Sequence, residues 1–290
     1  MIFPCDLCRS TDALELPHAG EYTGGQLIHI CRGCGFVYVR ERRSAEEIAA
    51  SWTNEIFGSG YSASLPAVTA RLTYVAETLD IQVGLRGKRI AEIGAGEGHF
   101  LAMVREERYG ATVFGIEPSA QNCADMRAQG VDCFNGTIEE FDGSSGEFDL
   151  VVVLWTLENC QDPRALLGGA RRLLRPGGQV AVATGSRILV PFKKPLHAYL
   201  SRNPVDTNSF RFSANTIQGA LAVSGLETSY VNRYLDHDVL LAIGRPAAEG
   251  AAVPWHGDDP LAVWGFFERW HADTALYFPD LLQPGVSDRS

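Results

Sequence analysis

The 290-residue chain has no uninterrupted apolar run close to the roughly 18 residues that a membrane-spanning helix needs. Its first residues, Met1-Ile2-Phe3-Pro4-Cys5-Asp6, lack a basic stretch followed by an apolar one, so no secretory signal is read there. Both absences predict a soluble, cytoplasmic protein with no membrane partner. Positive charge is also short: 25 Lys and Arg stand against 35 Asp and Glu, a net charge of -10. A general nucleic-acid binder needs a net basic face, so nucleic acid is not expected as a partner. Internal repeats are missing as well. Hydrophobic residues at 46% and charged residues at 21% leave enough apolar material for one large domain and a small one.

Between residues 87 and 185 strand-like and helix-like stretches alternate. Strands are predicted at Arg89–Ile93, Thr112–Glu117, Val131–Phe134, Phe148–Leu154 and Gln179–Thr184, with helices at Gly98–Arg108, Ser119–Gln129 and Pro163–Leu174. Such alternation implies right-handed crossovers and a parallel sheet. Phe148–Leu154 is continuously apolar after Asp149, as a strand covered on both faces should be. Before this region lies an amphipathic helix, Leu65–Leu79, and after it a helix at Ser213–Val223 and two strand-like runs.

Ile90-Ala91-Glu92-Ile93-Gly94-Ala95-Gly96-Glu97-Gly98 is a strand that runs into three glycines and opens a helix. Glycines let a ligand approach the backbone closely. The third glycine follows the second by two residues, whereas the pyrophosphate-binding fingerprint places it three after. Glu92, two residues before the first glycine, would repel a pyrophosphate but suits a ligand carrying an ammonium group. Glu117 ends the next strand, 23 residues after Gly94, where a carboxylate can accept both hydroxyls of a ribose.

With Glu147-Phe148-Asp149-Leu150 and Leu174-Arg175-Pro176-Gly177-Gly178 added, residues 85–245 resemble a class I S-adenosylmethionine-dependent methyltransferase. The resemblance implies a Rossmann-like α/β sheet with helices on both faces. It implies that Glu92 faces the methionine amino group, that Gly94, Ala95, Gly96 and Gly98 pack beneath the cofactor, and that Glu117, followed by Pro118, holds the ribose. Thr137 and Ile138 would flank the adenine, Leu154 and Trp155 the methionyl part, and Tyr61 would lie near the cofactor. Asn159 stands where many relatives carry the histidine of a Leu-Glu-His sequence, so no role of that histidine transfers.

Cys5-x2-Cys8 and Cys31-x2-Cys34 are two knuckles with 22 residues between them. Four thiolates complete a tetrahedral site with no open position, which predicts one structural zinc in a module over residues 1–40. Residues 41–84 then read as a linker with helices, and 246–290 as a C-terminal helical extension. Cys123, Cys133 and Cys160 are scattered and predicted to be ordinary reduced thiols. A four-cysteine module ahead of this domain is similar to sugar methyltransferases of deoxysugar and surface-polysaccharide pathways. The acceptor implied is a small anion, above all a nucleotide-linked sugar. A zinc-ribbon RNA methyltransferase and a non-catalytic zinc-binding interaction protein remain the alternatives.

Ser186–Phe212 follows the fifth strand and carries Arg187, Lys193, Lys194, Arg202 and Arg211 against Asp206, a local charge of +4. This segment is expected to cover the reacting centre and grip an anionic acceptor. His197 is the expected general base, with His237 and Glu158 as fallbacks and Tyr199 orienting the acceptor. In the last helix, Pro260–Tyr277, a stripe of Trp264, Phe267, Trp270 and Leu276 is expected to pack on the methyltransferase domain or at a homodimer seam.

Overall fold

The computed structural model describes residues 2–51, 65–143, 146–192, 194–200 and 208–279. Tyr61, Lys193, Arg202 and Asp206 therefore lie outside the described residues. The central feature is a seven-stranded sheet. Its strands are β4 (Arg89–Ile93), β5 (Thr112–Glu117), β6 (Asp132–Asn135), β7 (Phe148–Leu154), β8 (Leu174–Thr184), β10 (Leu226–Val231) and β11 (Leu240–Pro246). They lie in the order β10-β11-β8-β7-β4-β5-β6. The five strands from β8 to β6 are parallel, and β11 and β10 add an antiparallel pair at one edge.

The apolar runs explain why helices cover both faces. Along β4, β7 and β8, Ile93, Val151, Val153, Val180 and Val182 project to one side. There α6 (Pro163–Leu173) and α8 (Ala214–Val223) bury Leu166, Leu167, Ile217 and Leu221 against them. The alternate residues Ile90, Leu150, Val152, Ala181 and Ala183 project to the other side. That side is covered by α3 (Leu65–Val83), α4 (His99–Arg105) and α5 (Ala120–Ala128). Every residue of β7 is buried, as a strand sandwiched between two helical layers requires. Asp149 ties β7 to β4 at their amino ends by accepting a hydrogen bond from Arg89 N at 2.8 Å.

The N-terminal residues form a small antiparallel sheet of β1 (Ala13–Glu15), β2 (Ile28–Cys31) and β3 (Val37–Val39), with α1 (Ala19–Tyr22) beside it. This sheet does not end with the module. A fourth strand, β9 (Phe210–Arg211), comes from the far end of the Ser186–Phe212 segment and pairs Val37 with Arg211 and Tyr38 with Phe210. The segment also contains a short helix, α7 (Leu196–Leu200). Neither β9 nor α7 shows in the sequence pattern, because two paired residues and a five-residue helix are too short to establish a period.

Two expectations are corrected. Cys123 and Cys133 are joined by a disulfide rather than left as thiols. The crossover helix α5 lies over β6 and brings the two Cα atoms to 5.6 Å, within bridging distance, which their spacing of 10 residues alone does not reveal. In the last helix, α9 (Pro260–Tyr277), the buried face is Val263, Phe266, Phe267, Trp270 and Thr274. These follow a true 3.6-residue period, whereas Trp264 drifts off it and is 38% exposed, and Leu276 is 68% exposed. The stripe packs within its own chain, against β2 and α7. Trp270 donates its indole N–H to Lys194 O at 2.8 Å, and Thr274 Oγ1 accepts from Leu196 N at 2.8 Å.

The helix α9 thus holds the segment after β8 against the N-terminal sheet. Trp270→Ala should lower unfolding free energy by about 3–5 kcal/mol, the usual cost of deleting a buried aromatic side chain. Denaturant melts of the two proteins check this, and a loss below about 1 kcal/mol would show that α9 is not part of the core.

Candidate active site

All five parallel strands end on the same edge, and two cavities open there. The first measures about 640 Å³ and lies over the ends of β4, β5 and β7. Its floor is the glycine turn after β4. Gly94 and Gly96 have φ of 71° and 54°, left-handed values that favour glycine. A Cβ at Gly94 would also collide with the Thr156 side chain.

Two carboxylates face this cavity. Glu92 is 4% exposed, and its Oε2 has no hydrogen-bond partner. Burial, with the nearby Glu117 as a lesser cause, pushes its pKa well above the usual carboxylate range. Glu117 accepts from Gly96 N at 2.8 Å and Ser119 N at 2.8 Å, which fixes the carboxylate across the loop. Burial raises its pKa too, against the lowering effect of those two N–H groups. Each bonded oxygen retains a lone pair for a further donor. Pro118, Thr137 and Ile138 line one end of the cavity, and Ala95, Leu154 and Trp155 line the other parts of its wall.

 The Leu154 side chain closes β7 beneath this wall and is 5% exposed. Gly98 caps the start of α4, where an added Cβ would meet Met126 at 2.6 Å.

Trp155 separates the two cavities. It adopts φ of 53°, which a bulky side chain rarely does, and is held there by two bonds. Its N–H donates to Ala183 O at 2.8 Å, and its carbonyl accepts from Asn159 Nδ2 at 3.1 Å. Asn159 therefore stabilises the turn after β7. The second cavity, about 170 Å³, lies beyond Gly185, whose Cα is next to the Trp155 indole. The helix α3 borders both: Val68 and Leu72 face the first cavity, and Arg71 faces the second.

Of the four residues expected to act on the acceptor, Tyr199 lines the second cavity and the others line neither. His197 is on α7, half-buried. His237 stacks on Tyr74 at 4.2 Å and accepts from Val239 N at 3.0 Å. Glu158 is 3% exposed and accepts from Gly185 N at 3.3 Å, directly behind the second cavity, while its Oε2 has no hydrogen-bond partner. Burial raises its pKa to about 7, with Thr184 and backbone N–H groups pulling the other way.

At the N-terminal sheet, the Sγ atoms of Cys5, Cys8, Cys31 and Cys34 all lie within 4.8 Å of one another. The closest pairs are Cys8 with Cys31 at 3.3 Å and Cys5 with Cys34 at 3.6 Å.

The strand order with its antiparallel edge and the glycine turn give the chain a Rossmann-like α/β methyltransferase fold. Residues 91–182 match the family model described as a methyltransferase domain. A ubiquinone biosynthesis O-methyltransferase from Aromatoleum aromaticum is 36% identical over 129 residues, which cover 42% of this chain and 53% of that protein. The Pseudomonas aeruginosa enzyme of the same name is 34% identical over 116 residues, covering 38% of this chain and 49% of its own. The chain thus spans about half the length of the curated relatives it matches. Among solved structures, the fold is similar to that of 1,6-didemethyltoxoflavin-N1-methyltransferase from Burkholderia thailandensis. That structure has a TM-score of 0.53 and 18% identity, covering 73% of this chain and 96% of its own. Geranyl diphosphate C-methyltransferase from Streptomyces coelicolor gives a TM-score of 0.53 and 17% identity, covering 70% and 98%.

The raised pKa of Glu158 has a consequence for stability. Its pKa is higher in the folded protein than in the unfolded chain, so its contribution is fully present below about pH 4.3 and is lost as pH rises through 7. Glu158→Gln cannot ionise. The stability of the variant relative to wild type should therefore improve by about 3 kcal/mol between pH 4 and pH 8. Denaturant melts at the two pH values check this, and a pH-independent difference would contradict the assignment.

Proposed function

We propose that this protein transfers a methyl group from S-adenosylmethionine to a hydroxyl oxygen of a small anionic acceptor. The observation that carries the reading is the buried Glu92 carboxylate with an oxygen lacking a partner, at the floor of a cavity walled by a glycine turn. An uncompensated buried carboxylate is costly unless a cation meets it, and the ammonium of the methionine moiety is such a cation. Glu117 would accept the ribose hydroxyls, Thr137 and Ile138 would flank the adenine, and Trp155 would wall the methionyl end. When bound, S-adenosylmethionine supplies an electrophilic methyl on sulfur, which passes to the acceptor oxygen as the sulfonium becomes a thioether and the hydroxyl proton goes to a base.

The residues of this chain then have to align the acceptor and take that proton. Glu158 is the proposed base, because its pKa of about 7 matches neutral operation and it sits behind Gly185 at the cavity wall. Tyr199 would orient the acceptor. Glu158, His197 and His237 all line neither cavity, but Glu158 alone of the three is bonded to Gly185, which lines the second. The names of the ubiquinone biosynthesis O-methyltransferases favour oxygen as the methylated atom. They lend no support to a nucleotide-linked sugar, the acceptor suggested by the four-cysteine module.

The module is proposed to hold one structural zinc. A zinc ion with bonds of about 2.3 Å in a tetrahedron keeps its sulfurs about 3.8 Å apart, close to the spacing of these four thiols. The role is to fasten the sheet that β9 joins.

Glu117→Ala should weaken S-adenosylmethionine binding by about tenfold or more, since hydrogen bonds to a charged acceptor contribute about 1.5–3 kcal/mol each. Calorimetric titration measures this, and unchanged affinity removes the cofactor assignment. Elemental analysis should find one zinc per chain. A folded, metal-free protein with intact cofactor binding and an unchanged melting temperature would rule out the structural metal.

A further inference from the structure

The second cavity has the composition of a ligand site. Arg71, Arg187 and Lys194 all line it, and no ion pair links any of them to a carboxylate among the described residues. Among the described residues the wall holds one carboxylate, Asp238, whose Oδ1 lies 3.0 Å from His237 Nδ1.

Arg187 is the telling residue. It is 8% exposed, and its Nε has no partner. Its other nitrogens reach only neutral acceptors at long distance: Asn232 Oδ1 and Val239 O at 3.4 Å, and Asn232 O at 3.3 Å. A buried guanidinium without a counter-charge is costly. Burial holds its pKa below the usual value. Lys194 is likewise lowered, by burial and then by the neighbouring Arg71. Among the described residues, three cations share this small space with one carboxylate, Asp238.

The rest of the wall is flat and aromatic. Phe192 stacks on Trp270 at 5.1 Å, and Tyr199 lies at 4.6 Å from the same indole. Tyr199 Oη is buried without a partner. The volume of about 170 Å³ compares with an engineered apolar cavity of about 150 Å³ that takes up benzene. That is room for one substituted ring and less than a nucleotide-linked sugar fills, since the latter adds a base, a second ring and a diphosphate.

We propose that this cavity is the acceptor site and that its ligand is a single-ring aromatic carboxylate bearing a hydroxyl group. The planar fork of Arg187 matches a carboxylate, the aromatic wall receives the ring, and the Gly185 side presents the ring's substituent towards Trp155 and the cofactor cavity. The inference rests on the methyltransferase reading for the word acceptor, though the site itself does not depend on it.

The test is calorimetric titration of the full-length protein with S-adenosylhomocysteine and, separately, with 3,4-dihydroxybenzoate, catechol, inorganic phosphate and UDP-glucose. One 3,4-dihydroxybenzoate should bind per chain, at least about tenfold tighter than catechol, which keeps the ring but lacks the charge. Arg187→Gln and Arg71→Gln should each weaken it by about tenfold and leave S-adenosylhomocysteine affinity unchanged. Arg71 is exposed, so its variant stays informative if Arg187→Gln fails to fold. Equal binding of catechol, tighter binding of phosphate or UDP-glucose, or indifference to Arg71→Gln would overturn the proposal. Failure of S-adenosylhomocysteine to bind while the dihydroxybenzoate still binds would defeat the methyltransferase reading and leave the site standing. The reverse result would defeat the site alone.

Discussion

A carboxylate with no counter-charge, Glu92, sits near the carboxyl end of β4, the middle of the five parallel strands, and the candidate site is arranged around it. The nearby Glu117 raises the cost further. Such an arrangement favours a protonated carboxyl in the free protein and a cationic ligand as its partner when ionised. The glycine turn serves the same end: its left-handed residues leave out the side chains that would fill the cavity.

The N-terminal sheet and the second cavity belong to one structure. The strand β9 closes the Ser186–Phe212 segment onto β3, and α9 fastens the middle of that segment through Trp270 and Thr274. Of the wall residues, Tyr199 lies between these two attachments, Lys194 is part of the second, and Phe192 stacks on Trp270 just before it. The four cysteines are therefore far from the reacting centre in chemistry but close to it in mechanical terms. Whatever holds the knuckles together also holds the sheet on which one end of the cavity wall is anchored.

The parallel sheet was legible because each strand is a short apolar run covered on both faces, and Phe148–Leu154 is the clearest case. The glycine turn and both strand-end carboxylates were legible because their spacing is local. The second cavity was not. Its wall is drawn from Arg71, Gly185, Asp238 and Trp270, which no sequence window contains together. The positive charge of the Ser186–Phe212 segment was a partial signal, since Arg187 and Lys194 from it line that cavity. Arg71 gave no signal, since an arginine on an amphipathic helix normally marks its wet face. The phase of α9 was misread by following aromatic residues at every third position instead of the helical period. The Cys123–Cys133 bridge depends on how a crossover helix lies over its strand, which spacing does not encode.

The central claim is that Glu92 is a buried carboxylate poised for an ammonium group. Burial and the nearby Glu117 raise its pKa, and a bound cation opposes that shift, so binding should favour loss of a proton from Glu92. Calorimetric titration with S-adenosylhomocysteine at pH 7, repeated in buffers of different ionisation enthalpy, counts that proton directly. The account predicts net proton release on binding that disappears in Glu92→Gln. A binding enthalpy independent of the buffer, together with wild-type affinity in Glu92→Gln, would contradict it.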